Sequence, residues 1–480
     1  MNFVSKSTHI GKIIFLFSYK NWLILHKKTI MSARDSIDFK NTKISTLYRK
    51  LLFPTLLGTL SMCAMTTIDG IFVGHGVGSD GVAAVNIVSP VYQIFSGIGL
   101  MIGAGCSVVV SIHMARQKIK AARLNLTQAM MFSTILTFVV CLLAMLYPEY
   151  TVRLLGSSET LLPQARDYLF WIMPSYVFQM WSLIGLFIIR LDGAPKVAMW
   201  CNVVAALMNI MLDWLMIFPL GLGVKGAAIA TSISIMAGGL IALSYLLFYA
   251  KTLRIIPLKM SKKSLLLSFR NVGYHCRIGS SSLFGEMTLA VLTFMGNLMF
   301  IRFLGDDGVA AFGIACYYTP FFFNIGNAVA QSAQPIISYN YGASQWDNVR
   351  KARRLLFGTA LLCGIIAMVL FMFAPHLLTA LFLNPESPAA QIAQEGFPYY
   401  AIGIPFFVLN VAIVGYCQSI ERMKAAFIFV FLRGIGLLIP TFLLLPLLLG
   451  TEGIWLSMPV AEIVTLAIII CWRIGATKKQ

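Results

Sequence analysis

The chain has 480 residues, 58% of them hydrophobic and only 11% charged, with a mean hydropathy of +0.81. Typical soluble domains carry ~25% charged residues, so an array of soluble domains is excluded. A net charge of +19 would suit nucleic acid, but the Lys and Arg sit in short loops between apolar runs, where they set orientation and meet anionic lipid.

Residues 1–45 read as an N-terminal extension. Ile13 to Leu25 is apolar but short and interrupted by Lys20 and Asn21, which argues against a span. Met31 opens Met-Ser-Ala-Arg-Asp and reads as an alternative start, with residues 1–30 disordered or lying on the membrane surface. Intact mass of natively expressed protein tests this.

Apolar runs then recur to the end of the chain, each long enough to cross a ~30 Å hydrocarbon core as a helix. They fall at 48–74, 86–113, 124–147, 164–189, 197–218, 226–249, 273–302, 312–337, 352–374, 393–418, 425–447 and 453–473. The expectation is an all-α polytopic membrane protein with twelve transmembrane helices. From residue 41 onward one set of loops holds 25 Lys and Arg, the other four (Arg153, Arg166, Lys225, Arg302), with Arg433 inside a span. The positive-inside rule puts both termini in the cytoplasm of a multi-pass plasma-membrane protein.

The sequence repeats. Ser79-Asp-Gly-Val-Ala-Ala84 returns as Asp306-Asp-Gly-Val-Ala-Ala311, 227 residues on, and Gly226 and Gly453 share that offset. Six spans per repeat means two six-helix lobes in the same orientation, related by a pseudo-two-fold axis along the membrane normal, with substrate sites between them. The expected units are 46–250 (N-lobe), 251–271 (a solvated basic cytoplasmic linker), 272–475 (C-lobe) and a tail at 476–480.

A carboxylate at mid-bilayer costs at least ~2.5–3.5 kcal/mol on insertion scales and marks ion or proton handling. Asp213 lies in an apolar run, with Asn209 one turn away on the same helix face. Asp69, in Ile-Asp-Gly-Ile, is its expected partner. Glu286 and Arg433 are further in-span charges, and pairing between them is one reading of both. Tyr92, Gln179 and Asn202 are in-span polar groups that could line a cleft. The nine cysteines are scattered singly, with no C-x-x-C, and read as packing residues.

Three segments carry a family resemblance: Ile68-Asp-Gly-Ile-Phe-Val-Gly74, Gly223-Val-Lys-Gly-Ala-Ala-Ile-Ala-Thr231, and Gln334-Pro-Ile-Ile-Ser-Tyr-Asn-Tyr-Gly-Ala343. With the twelve spans and the repeat, residues 46–475 resemble the multidrug and toxin extrusion (MATE) family. The resemblance implies a V-shaped, two-lobed antiporter, acting as a monomer, that expels small organic cations against inward H⁺ or Na⁺, with no other cofactor. It also implies that Asp69, Asn209 and Asp213 form an N-lobe coupling-cation site, and that Glu286 is a seventh-span acid used in the C-lobe. The pattern departs in the tenth span, where Asn410 stands without a neighbouring acid. Asn410 and Glu286 are therefore the possible C-lobe cation or substrate site, and the N-lobe is favoured.

At the repeat offset Asp69 falls on Gly296 and Asp213 near Thr441, so the acids are not repeated. A flippase or exporter of a lipid-linked or other endogenous metabolite is the alternative within the same superfamily. A membrane-embedded enzyme needs a reactive constellation such as H-E-x-x-H, and none is present. A purely structural or sensing membrane protein has no use for in-span acids at helical spacing.

Overall fold

A computed structural model describes residues 37–258, 261–382 and 386–477. The expectations for residues 1–36, including the start at Met31, lie outside the described residues, as do residues 478–480 of the tail. Residues 37–43 are packed rather than loose, with Phe39 buried against Tyr339 at a ring-centroid distance of 5.6 Å.

The described chain is helical throughout. The first half runs α1 (Ile44–Gly76), α2 (Ser79–Ala115), α3 (Ile119–Leu146), short α4 (Pro148–Leu154), α5 (Leu162–Ile172), α6 (Ser175–Leu191), α7 (Pro195–Ile217) and α8 (Gly223–Ser244). The second half runs α9 (Lys262–Gly305), α10 (Asp307–Gly342), α11 (Trp346–Phe373), short α12 (Pro375–Ala380), α13 (Pro388–Ala401) and α14 (Ile404–Ser419). Then α15 (Met423–Phe431) passes through a π turn (Leu432–Gly436) into α16 (Leu438–Thr477), which breaks at Gly450.

Among the described residues nine helices are long and apolar enough to cross a membrane, or eleven if α5 with α6 and α13 with α14 each count as one span. The last of these, Met423–Trp472, contains the Gly450 break. The sequence reading drew α5–α6 and α13–α14 as single runs. They bend by 50° and 51°. Pro174 and Pro405 stand at the joints, where the ring removes a backbone donor and clashes with the preceding turn.

The repeat is visible in the backbone itself. Gly78 (φ 92°) and Gly305 (φ 65°) make the tight reversal after the first helix of each half. Gln117 (φ 60°) and Ser344 (φ 58°) close the second helices, and Gly223 (φ 57°) and Gly450 (φ 61°) open the sixth segments. Each pair is separated by 227 residues. Left-handed backbone is comfortable only without a Cβ, so the glycines fix the two sharpest turns. Helix α3 and helix α11 start and end at the same offset, as do Pro148 and Pro375.

The two halves meet at the end that carries the basic loops. Helix α2 packs along α9 and α10. A Cβ at Gly105 would overlap the His275 carbonyl, and one at Gly279 the Met101 carbonyl, so backbone touches backbone across this seam. Ser111 Oγ donates to the Pro335 carbonyl at 3.3 Å, and Gln334 Nε2 to the Ala104 carbonyl at 3.1 Å. Arg190, buried at the end of α6, donates to Gln331 Oε1 at 2.7 Å.

The linker begins differently from expectation. Its first residues are pinned to the N-terminal half: the Asp192 carboxylate accepts from the backbone N–H groups of Lys251, Thr252 and Leu253. Tyr245 OH donates to the same carboxylate at 2.8 Å, and Leu253 is buried. A carboxylate fixed by several backbone donors is a strong anchor.

Candidate functional site

The site is built where α1 meets α7. Gly58 lets α1 approach α7 so closely that a Cβ there would lie 3.3 Å from Met199 Cα. At the far end a Cβ on Gly76 would overlap Ile217. Asp69 lies between these two close approaches, one side of a seam whose other side carries Asn209 and Asp213. Those two residues lie one turn apart on α7 and are both 0% exposed.

The carboxyl groups of Asp69 and Asp213 stand beside one another, with Asn209 next to Asp213. Asn209 Nδ2 donates to Thr231 Oγ1 of α8 at 3.2 Å, which turns its carbonyl oxygen away from that partner. Tyr168 of α5 stands close to both acids. Asp69 Oδ1, Asn209 Oδ1 and both Asp213 oxygens receive no hydrogen bond. Ionised carboxylates offer each other no donor, so the juxtaposition leaves a cluster of buried acceptors. Buried polar groups are ordinarily hydrogen-bonded, which sets these oxygens apart.

The C-terminal half is arranged otherwise. Glu462 of α16 accepts from Arg433 Nε at 3.0 Å and NH2 at 2.8 Å, with both side chains 2–3% exposed. Asn410 Nδ2 donates to the Glu462 carboxylate at 2.7 Å and to its carbonyl at 2.9 Å. The guanidinium also lies 4.3 Å from the centroid of Phe407. The expected pairing of Glu286 with Arg433 is therefore corrected: Arg433 is held by Glu462, one span further on. Asn410 belongs to that network.

Glu286 instead stands near Tyr92 and Cys63, both from the N-terminal half. Among the described residues no cation pairs with it. Tyr92 thus faces across the lobes. Gln179 is buried with Oε1 unpartnered, and Asn202 packs against α1 at Gly58, inside the N-terminal half. None of these three lines the cavity enclosed between the lobes. That cavity is about 40 Å³, bounded by residues including Phe187, Ser282, Gln331, Gln334, Gln418 and Arg433. It has room for no more than a few waters.

Sequence reasoning missed Glu462, Thr231 and Arg190. Glu462 carried the same signal as Asp213, an acid inside an apolar run. No group of three or more His, Cys, Asp or Glu that could hold a metal occurs among the described residues.

The MatE family model matches residues 54–215 and 282–442, one block in each half of the chain. The chain belongs to the MatE family. Curated relatives of this MatE protein include the multidrug export protein MepA of Staphylococcus aureus, 23% identical over 433 residues, covering 88% of this chain and 92% of the relative. The MepA of Staphylococcus saprophyticus is 23% identical over 416 residues, covering 85% and 89%. Solved structures with the same fold include a multidrug resistance MATE family transporter in an outward-facing conformation, with a TM-score of 0.83, 20% identity, and 92% and 98% coverage. A MOP superfamily transporter from Pyrococcus furiosus, described with a binding pocket of reversed polarity, aligns with a TM-score of 0.81, 21% identity, and 92% and 98% coverage. The MatE chain is a multi-pass membrane transporter of two repeated lobes.

Proposed function

We propose that this MatE protein is a secondary antiporter that exports lipophilic, often cationic, organic compounds in exchange for H⁺ or Na⁺. The observation that carries this is the cluster of donor-less buried oxygens on Asp69, Asn209 and Asp213. The names of its curated relatives, multidrug export proteins, supply the cargo class.

The exchange runs as follows. Two unit charges 4 Å apart repel by roughly 4 kcal/mol at an effective dielectric of 20. An ionised Asp69–Asp213 pair is therefore relieved by one proton or one Na⁺. Asn209 presents its carbonyl, an oxygen ligand suited to a hard cation, while Thr231 engages its amide. Neutralisation draws α1 and α7 together and changes which lobe arrangement is favoured. Cargo and cation select different members of one conformational pair, so exchange is a population shift.

A drug-sized cargo needs roughly 300–1,000 Å³, against about 40 Å³ in the cavity lined by Gln331, Gln334 and Arg433. Loading then requires the lobes to separate. The Arg433–Glu462–Asn410 network gives the second lobe a fixed internal cation, which suits a coupling site confined to the first. Counting across the Gly450 break brings the spans to twelve, with 46–250 and 272–475 as the lobes. The basic loops are then cytoplasmic, with both termini on that side.

The test is uptake of ethidium, a lipophilic cation, into inside-out proteoliposomes under a Na⁺ gradient alone and a pH gradient alone. Transport under one of them, lost in Asp213→Asn, is the expected result. No transport under either overturns the reading.

A further inference from the structure

A second site opens at the basic-loop end, in a groove of about 620 Å³ between α2 and α3 of one lobe and α9 of the other. Its walls include His113, Asn125, Arg270, Asn271, Tyr274 and Arg277. Arg270 and Arg277 are exposed, and among the described residues neither guanidinium makes an ion pair or hydrogen bond. The acid at the rim, Glu421, is already engaged by Tyr274 OH at 2.8 Å. Beneath the rim Asn271 donates to Gln128 Oε1 at 2.8 Å, and the buried Gln128 Nε2 is left with no acceptor. His275 bonds Asn125 at 3.1 Å below the same wall. The groove therefore offers two arginines whose guanidinium groups are unpaired, with the Glu421 carboxylate held at its rim by Tyr274.

The apolar surroundings say what kind of anion fits. Leu124 and Leu267 also line the groove, while Leu265, Leu266 and Phe269 are exposed on the same turns of α9. A free phosphate would use only the arginines and make no contact with these apolar faces. A phosphodiester carrying acyl chains satisfies both the arginines and the leucines. Basic pockets between helices at this membrane face are suited to anionic headgroups.

We propose that this groove is a binding site for one anionic phospholipid, headgroup against Arg270 and Arg277, chains along α9. Because its walls come from both lobes, the lipid bridges them and favours the arrangement in which this end is shut. This goes beyond the exchange site and does not depend on it.

The experiment is native mass spectrometry of the delipidated full chain, titrated with phosphatidylglycerol or with phosphatidylcholine of the same acyl chains. Phosphatidylglycerol is expected to bind the more tightly. Each arginine near the surface contributes roughly fivefold, so R270Q/R277Q is expected to lose roughly twenty-fivefold of phosphatidylglycerol affinity. R270K/R277K keeps most of it, and the control R350Q/R354Q, removing two cations from the first turns of α11, leaves it unchanged. Equal binding of the two lipids, an equal loss in the control, or displacement by inorganic phosphate at matched ionic strength overturns the proposal. No transport is measured, so failure here leaves the antiport reading standing.

Discussion

Asp69 and Asp213 are two acids brought together where either alone would already be unfavourable. Replacing one with Asn removes the charge with almost no change of shape, and the amide donates to the remaining carboxylate. Asp69→Asn and Asp213→Asn are each expected to abolish ion-driven efflux while membrane abundance stays within about twofold. Efflux at wild-type rate in both variants would remove the exchange scheme. Glu462 is the opposite case, an acid whose charge is answered. Glu462→Gln strands the buried Arg433, and breaking such a pair from one side costs about 3–5 kcal/mol. Thermal unfolding in detergent should show a clear fall in Tm, and R433M/E462M should be more stable than E462Q alone. Asp69 and Asp213 were legible because an acid in an apolar run is rare enough to be noticed, and Asn209 because it lies one turn from Asp213. The Arg433 partner was not: choosing Glu462 over Glu286 requires knowing which spans pack together, which no local pattern encodes.

Between elements, α2 and α9 approach closely enough for backbone to touch backbone. Gly105 and Gly279 let two helix backbones touch, and a methyl at either position would overlap a carbonyl oxygen that cannot swing aside. Overpacking of this kind costs roughly 1–3 kcal/mol, and separating the helices relieves it. Gly279→Ala is therefore expected to spread the lobes at the basic-loop end. A spin-label pair at Gln117→Cys and Ser344→Cys reads this as a longer distance distribution; an unchanged distribution would mean the seam absorbs the methyl elsewhere. Helix existence was readable from apolar run length, and the 227-residue repeat from shared motifs. The bends were less so. Pro174 and Pro405 announce that a break is permitted, but not its size, 50° and 51°. The Gly-to-carbonyl contacts across the lobes had no sequence signal beyond a cluster of small residues in α2.

At the scale of the whole molecule the Asp69–Asp213 pair and the lobe seam lie at opposite ends of the first lobe. Asp69 and Asp213 sit within two turns of the helix ends at Gly76 and Ile217, whereas the seam of Gly105, Ser111 and Arg190 lies by the basic loops. A cation bound at one end acts at the other only if the lobe moves as a body, and its helices are long enough to transmit that. Helix α2, 37 residues, runs from one end to the other and carries most of the seam. The same Gln117–Ser344 label pair therefore reports on the exchange site from far away. Acidification or added Na⁺ is expected to redistribute its distances in the wild type. In Asp213→Asn the distribution should be insensitive to the coupling ion and resemble one limit of the wild-type range. If the ion response survives in Asp213→Asn, the switch lies elsewhere, and Glu286, facing Tyr92 across the lobes, is where to test next. If labels respond in neither protein while ethidium is still transported, the lobes do not move as bodies and coupling is local to α1 and α7.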